Sequence, residues 1–321
     1  MGDDRMTTRA VRLTAVGAPP TLVEDAPLPA PGADEVLVHV DHAAVNPIDT
    51  YAAAGTVGDT ARLPRTLGVE GTGLVAGGTR VVVTGAGLGL RRDGTWAGAI
   101  VAPRDAVVEV PADLDPAQAG AIGTAAVTAY EALHVLGGIT AEDRVLVLGA
   151  GGGVGVVAVQ LAKIAGAGVV GQVGSAAKAA AVTALGADRV VVAGADDLAA
   201  AVGDHPPTLV VDPLGGGFTA AAVRLAEPGG RIVILGVSAG ADIPLPGRDF
   251  YRKGLRLLGY AGLTVPPRRR ATAVGAVAAD MVAGRLRIPV DEVLPLDRFG
   301  DAAARLRDRS VLGKIVLATQ L

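Results

Sequence analysis

Residues 145–148 form an unbroken apolar run of four between Arg144 and a run of glycines. That length and texture fit a parallel strand buried on both faces. Residues 156–165 then read as a helix, so strand, glycine turn and helix stand in the order that opens a βαβ unit. The alternation continues with strands at 168–173, 189–192, 209–212 and 231–235, and helices at 176–185, 195–202 and 218–225. A further strand is expected at 255–260. The pattern predicts an α/β fold with a doubly wound parallel sheet. Ahead of it, short runs at 11–16, 35–45, 69–75, 80–84 and 97–101 are separated by Gly, Pro and Asp turns. They predict an all-β unit with a barrel-like core. The proline-rich segment 26–32 is a connector, and Asp93-Gly94 is a hairpin signal. Residues 117–136 read as helical, closed by Gly137 and Gly138. The tail shows a helix at 267–283, an extended piece at 292–295, a helix at 299–307 and a strand at 314–318. The tail matches neither half alone and is expected to pack back on the β-rich part. The predicted domains are therefore 1–118 with 262–321, and 119–261.

The turn after residue 148 carries Ala150, Gly152 and Gly155 at G-x-G-x-x-G spacing, with Gly153 and Val154 between. In this fingerprint the first position makes a tight turn. The second lets backbone N–H groups approach a pyrophosphate, and the third lets helix pack closely on strand. The helix N-terminus adds N–H donors and the positive end of its dipole. A flexible loop would also be glycine-rich, but the flanking strand and helix favour phosphate binding.

Composition narrows the classes. A length of 321 residues suits two domains, and a hydrophobic share of 50% allows sizeable cores. Net charge is −3, without the basic footprint of a nucleic-acid binder or a polybasic membrane patch. The chain has no cysteine, which excludes disulfides, thiolate zinc sites, iron–sulfur clusters and cysteine nucleophiles. The polar start Met1-Gly2-Asp3-Asp4-Arg5 does not open a secretory h-region, and no apolar run is long enough to span a bilayer. A cytoplasmic enzyme without nucleic-acid or membrane partners is expected.

Candidate chemistry comes in three constellations. After the strand at 168–173, an NAD site would carry an acidic residue for the ribose hydroxyls. Here the text is Gly174-Ser175-Ala176-Ala177-Lys178, without a carboxylate. A hydroxyl and a lysine suit a 2′-phosphate, so NADPH is the expected cofactor; the plainer reading of Lys178 is a solvated helix residue. The second constellation is Asn46-Pro47-Ile48-Asp49-Thr50-Tyr51. Asn46 and Tyr51 could bond a substrate carbonyl, with Asp49 capping a helical turn; equally, Asn46, Pro47 and Asp49 could simply build the turn. The third is Glu70 among glycines at 68–73, a metal ligand or an internally bonded glutamate. Trp96, in the glycine-rich segment 85–96, is either a ring platform in the substrate pocket or a packed hairpin residue. Arg91-Arg92 and Arg268-Arg269-Arg270 are either phosphate binders or solvated charges.

The order of these pieces resembles the medium-chain dehydrogenase/reductase superfamily, in its zinc-free, zeta-crystallin-like quinone oxidoreductase branch. The text that carries it is 45–51, 67–73, 126–133, 149–155, 174–178, 185–188, 212–216, 229–233 and 313–317, nearly the whole chain. The resemblance implies a GroES-like β-rich catalytic domain and a Rossmann nucleotide-binding domain. It places Asn46 and Tyr51 on the substrate side and Thr128 beside the nicotinamide. Gly152, Gly153, Val154 and Gly155 hold the pyrophosphate, and Ser175 and Lys178 read the 2′-phosphate. Gly236, Val237 and Ser238 form the loop at the nicotinamide, and Lys314 matches a basic position near the cofactor. Zinc alcohol dehydrogenases have Cys and His where Asn46 and Val69 stand, so metal-dependent alcohol oxidation is rejected. The chain departs from the branch at Ala193, where a Tyr is usual, at Val237, where an Asn is usual, and around Trp96.

The implied activity is NADPH-dependent, zinc-independent hydride transfer to a small conjugated carbonyl, a quinone or an enone. Tyr51 or water would supply the proton. Two alternatives stand beside it: an enoyl-thioester reductase in polyketide-type assembly, and a catalytically silent NADPH-binding protein. The family further implies a homodimer through the sheet edge near 255–260.

Overall fold

A computed structural model describes residues 6–320. The polar start at 1–5 lies outside these residues. The chain divides into two compact units. One contains the described residues up to Thr124, Leu263–Gly284 and those from Ile288 on; the other contains Ala125–Gly262 and Arg285–Arg287.

The first unit is built mainly of β1 (Thr7–Leu13), β2 (Thr21–Pro27), β3 (Glu35–Val45), β4 (Arg65–Thr66), β5 (Glu70–Leu74), β6 (Arg80–Thr84), β7 (Ala99–Pro103) and β8 (Val107–Glu109). A short helix, α1 (Pro47–Ala53), follows β3 directly. Strands β2, β1 and β4 make a three-stranded antiparallel sheet, and β3, β5, β6 and β8 run in order through a larger one, with β7 also on β3. The glycines of β5 are there for close approach: a Cβ on Gly73 would lie 2.1 Å from the His39 carbonyl oxygen, and one on Gly71 would lie 2.9 Å from that of His42. Only hydrogen fits between these strands.

The expected helix at 117–136 is broken. It is made of α2 (Pro116–Ala119), a wide π turn at Ile122–Ala126, α3 (Val127–Tyr130) and a second wide turn at Glu131–Leu136. The first wide turn is pinned to the β-rich unit. The Thr84 hydroxyl donates to Gly123 O at 3.0 Å, and Thr124 N–H donates to Glu70 at 2.6 Å. These bonds hold residues up to Thr124 with the first unit, so the division falls at 124/125 rather than 118/119.

The second unit contains β9 (Arg144–Val147), α4 (Gly153–Ile164), β10 (Gly168–Val173), α5 (Ala179–Ala184), β11 (Arg189–Val192), α6 (Leu198–Val202), β12 (Leu209–Asp212), α7 (Gly216–Leu225), β13 (Arg231–Ile234), α8 (Gly247–Arg252) and β14 (Arg256–Gly259). All neighbours pair in parallel, in the order β11-β10-β9-β12-β13-β14. This is the doubly wound topology, with its switch point beside β9. Leu146, Leu148, Val210 and Ile232 are essentially sealed from solvent within its core, as strands covered on both faces must be.

The tail supplies α9 (Pro267–Val282), β15 (Val290–Pro295), α10 (Phe299–Arg307) and β16 (Lys314–Ala318). All four fall in the β-rich unit. Strand β16 lies between β15, parallel to it, and β3, antiparallel to it, with Ile315 opposite Val45. With both edges paired, all five of its residues are buried. That register decides what happens at the next residue pair, Lys314 and Asn46.

Candidate active site

In the β-rich unit, Asn46 follows β3 and stands just before α1 in extended conformation. Lys314 starts β16 and Glu70 starts β5. All three side chains meet in the interior: Glu70 is 0%, Lys314 3% and Asn46 4% exposed. Asn46 Nδ2 donates to Glu70 Oε1 at 2.8 Å. Lys314 Nζ donates to Asn46 Oδ1 at 2.5 Å and to Glu70 Oε1 at 3.0 Å. The other Glu70 oxygen accepts the Thr124 N–H. Both oxygens of Glu70 thus have donors. That is the condition under which a buried ion pair offsets its desolvation.

Asp49 lies directly beneath. Its carboxylate accepts the Asn46 backbone N–H at 2.8 Å and the Val69 N–H at 3.1 Å. From the third position of the helix it reaches back to the N–H of the residue that precedes the helix, rather than capping from in front. Burial pushes its pKa up to about 7, assisted by the nearby Glu70 charge and opposed by the Asn46 bonds and Lys314. Tyr51, on α1, is 43% exposed.

One expectation is corrected here. Trp96 is no ring platform in a pocket: it is 2% exposed within the core of the β-rich unit. Its indole N–H donates to Ala44 O, and its ring packs against Phe299 at 6.2 Å between centroids. A large apolar ring with a satisfied N–H gains more from this burial than from exposure. Lys314, expected near the cofactor, gives two of its ammonium hydrogens to Glu70 and Asn46, because the β3–β16 register sets it beside them.

In the second unit the phosphate turn has the shape its spacing implies. A Cβ on Gly155 would lie 2.3 Å from Gly149 O and 2.6 Å from the Ala150 Cα, so only glycine lets α4 seat on the turn. The left-handed residue that makes the turn is Gly149, at φ 59°, rather than Ala150, which is fully buried. Gly152 precedes α4 in extended conformation. A Cβ there would meet only Gly149 O, at 3.3 Å, so the face of the turn over Gly152 is otherwise open. The N–H groups of Gly153, Val154 and Gly155 start the helix and have no partner within it. This cradle fits a pyrophosphate.

Two groups of expected cofactor residues follow strands of the same sheet. Ser175 and Lys178 follow β10; Ser175 is exposed and Lys178 half-buried. The Lys178 stem lies against the phosphate turn, its Cδ 2.8 Å from where a Gly151 Cβ would stand. Gly236, Val237 and Ser238 follow β13. A Cβ on Gly236 would lie 2.7 Å from Pro213 O, which also accepts from the Ser238 hydroxyl at 3.0 Å. Val237 is 44% exposed. Thr128, on α3, is nearly buried and stands 3.4 Å from the Tyr260 hydroxyl.

Gln172, on β10, is a residue that the apolar pattern concealed. Its Oε1 accepts the Gly149 N–H at 2.9 Å, its Nε2 donates to Ala193 O at 2.7 Å, and its own carbonyl accepts the Ala150 N–H at 2.8 Å. It staples the phosphate turn to the end of β11. The signal was there: one polar residue in an otherwise apolar strand. Asp212 does similar work after β12, accepting from Leu214 N, Gly215 N and the Thr219 hydroxyl.

Residues 32–112 match the family model described as alcohol dehydrogenase GroES-like domain, and residues 153–279 match that described as zinc-binding dehydrogenase. A quinone oxidoreductase from Lama guanicoe is 30% identical over 329 residues, covering 99% of both chains. The chain belongs to the medium-chain dehydrogenase/reductase superfamily, in its quinone oxidoreductase branch. Its β-rich unit is the GroES-like domain of that family and its parallel sheet the Rossmann-like one. Among solved structures, an NAD-dependent alcohol dehydrogenase is 31% identical with a TM-score of 0.87, covering 97% of this chain and 99% of that one. YhdH of E. coli K-12, solved with bound NADPH, is 25% identical with a TM-score of 0.81, covering 97% and 100%. The chain is therefore an oxidoreductase of this superfamily with a nicotinamide cofactor-binding fold. Among the described residues, no helix is long and apolar enough to cross a membrane.

Proposed function

We propose that this protein is an NADPH-dependent, zinc-independent reductase of conjugated carbonyls, quinones or enones. The observation that carries this reading is the Lys314 ammonium held between Asn46 and Glu70. Glu70 already has a cation supplied by the chain itself. A catalytic zinc requires three protein ligands. Among the described residues no group of three or more His, Cys, Asp or Glu is arranged to hold a metal. Without a Lewis acid a simple ketone is a poor acceptor. A conjugated one spreads the developing negative charge, and hydrogen-bond donors suffice to stabilise it.

The turn at 149–155 and the first N–H groups of α4 would hold the pyrophosphate, and Ser175 with Lys178 the 2′-phosphate. The reduced nicotinamide, when bound, supplies the hydride. The chain's own part is to orient the acceptor and to manage its proton. Asn46 is the candidate donor to the acceptor's oxygen, and the exposed Tyr51 hydroxyl is the candidate proton source, with water as its competitor. The outer strand β14 offers the edge on which a second copy would pair.

The test is nicotinamide oxidation against a panel of quinones, enones, enoyl thioesters and simple ketones, with and without a chelator. Turnover of quinones or enones, indifferent to the chelator, is expected. Turnover of thioesters alone would move the substrate class, and loss on chelation would sink the metal-free reading. No thermal shift with either nicotinamide would sink the cofactor assignment. Tyr51→Phe should lower turnover; unchanged turnover assigns the proton to water.

A further inference from the structure

We propose that Lys314 and Glu70 are positioning residues: together they lock the side-chain amide of Asn46 in one orientation, so that its second Nδ2 hydrogen is the donor it offers to the acceptor's oxygen. This rests on the reading of Asn46 as a substrate-side residue.

The argument is one of donor and acceptor chemistry. An ammonium only donates and a carboxylate only accepts. Asn46 Oδ1 faces the Lys314 ammonium, and Nδ2 faces Glu70. Turning the amide over would set its NH2 against the ammonium and its carbonyl against the carboxylate. Two hydrogen bonds to charged groups would become two repulsions, which disfavours the flipped form by roughly 10²-fold or more. The two bonds account for Oδ1 and one of the two Nδ2 hydrogens. The opposite charges of Lys314 and Glu70 therefore dictate which amide atom Asn46 presents.

The cluster is also held from outside. Glu70 Oε2 is anchored by the Thr124 N–H, and the Asn46 backbone N–H is anchored by Asp49. Lys314 comes from 268 residues further along the chain, placed by the pairing of Ile315 with Val45. A preorganised donor needs such support, because one free to rotate spends part of its time turned away.

Asn46 is the sole asparagine of the chain. Selective labelling of asparagine with ¹⁵N in the full-length protein therefore gives a single side-chain amide to observe by NMR. In the wild type, two well-separated amide hydrogen resonances are expected, one displaced downfield by the carboxylate acceptor. The informative variant is K314M/E70Q, which removes both charges together and leaves neither unpaired. There the displaced line should return towards the range of an unperturbed amide. The Tm should stay within a few degrees, while kcat falls about tenfold or more and KM for NADPH is unchanged. A wild-type amide with unperturbed resonances overturns the proposal without any variant. A double variant that folds and keeps the wild-type kcat overturns it as well. If the wild type turns over no acceptor in the panel, the functional reading fails, and the NMR arm still decides whether the amide is locked.

Discussion

The phosphate turn makes a contrast between two glycines that can be measured. In Gly155→Ala, the new Cβ would lie 2.3 Å from Gly149 O and 2.6 Å from the Ala150 Cα. Both are backbone atoms of a turn that Gln172 holds in place, so neither can swing aside. Helix α4 has to lift off the turn. Overpacking of this kind costs about 1–3 kcal/mol, and alanine's better helix propensity offsets roughly 0.5–1 kcal/mol of it. The net, up to about 2.5 kcal/mol, corresponds to a fall in Tm of up to roughly 10 °C without any ligand. In Gly152→Ala the new Cβ meets Gly149 O alone, at 3.3 Å, in a conformation that alanine adopts freely. Ligand-free stability should change by less than about 1 kcal/mol. Yet the methyl stands where the N–H groups must approach a phosphate. The thermal stabilisation by NADPH, worth about 2.7 kcal/mol at a hundredfold excess over Kd, should vanish. Thermal scans of both variants, with and without NADPH, read the two effects separately. Equal ligand-free destabilisation in the two variants would refute the steric argument. Undiminished NADPH stabilisation of Gly152→Ala would refute the phosphate assignment.

Three further expectations follow from the same geometry. Lys178→Ala should raise the KM for NADPH about tenfold or more while leaving that for NADH nearly unchanged, since one charge-assisted bond to the extra phosphate is lost; equal effects on both cofactors would remove Lys178 from the 2′-phosphate site. Asp49 has its folded pKa raised by burial from 3.8 to about 7, so the folded form binds the proton more tightly than the unfolded chain. Its contribution to stability is complete below about pH 4 and is lost as the pH rises to about 7, by roughly 4 kcal/mol at most. Urea titrations across that window should show a flatter pH dependence in Asp49→Asn, and an unchanged slope would assign it to other groups. Asp143 acts in the opposite sense: burial raises its pKa, but its bonds from Thr208, Thr140 and Arg231 outweigh that and hold it below 3.8, so its stabilisation fades only at lower pH. Finally, Trp96 emission should be blue-shifted and scarcely quenched by acrylamide, and strong quenching would contradict its packing against Phe299.

Much of the fold was legible from local patterning. The strands at 35–45, 168–173, 189–192 and 209–212 have the bounds expected from the sequence. Strands covered on both faces are mostly apolar, and turn-forming residues often close them. The wide turns within 117–136 left no such mark. The first of them is held by Thr84 on Gly123 and by Glu70 on Thr124, partners far away in the chain. Trp96 misled for a related reason. A tryptophan in a glycine-rich segment has the same sequence whether it faces a pocket or Phe299.

The glycine turn with which the parallel sheet begins is where sequence reaches furthest. Spacing alone determined that a strand, a tight turn and a helix would follow one another with the first helical N–H groups left uncovered, because each step is local and limited by sterics. Asn46 shows where that reach stops. Its residue type and its place after β3 could be read from the sequence, along with two candidate roles. That its amide is held between an ammonium and a carboxylate was decided by strand register, which brings Lys314 and Glu70 to it from distant parts of the chain. Hydrophobic burial drove those strands together, and the charges carried along with them had to pair.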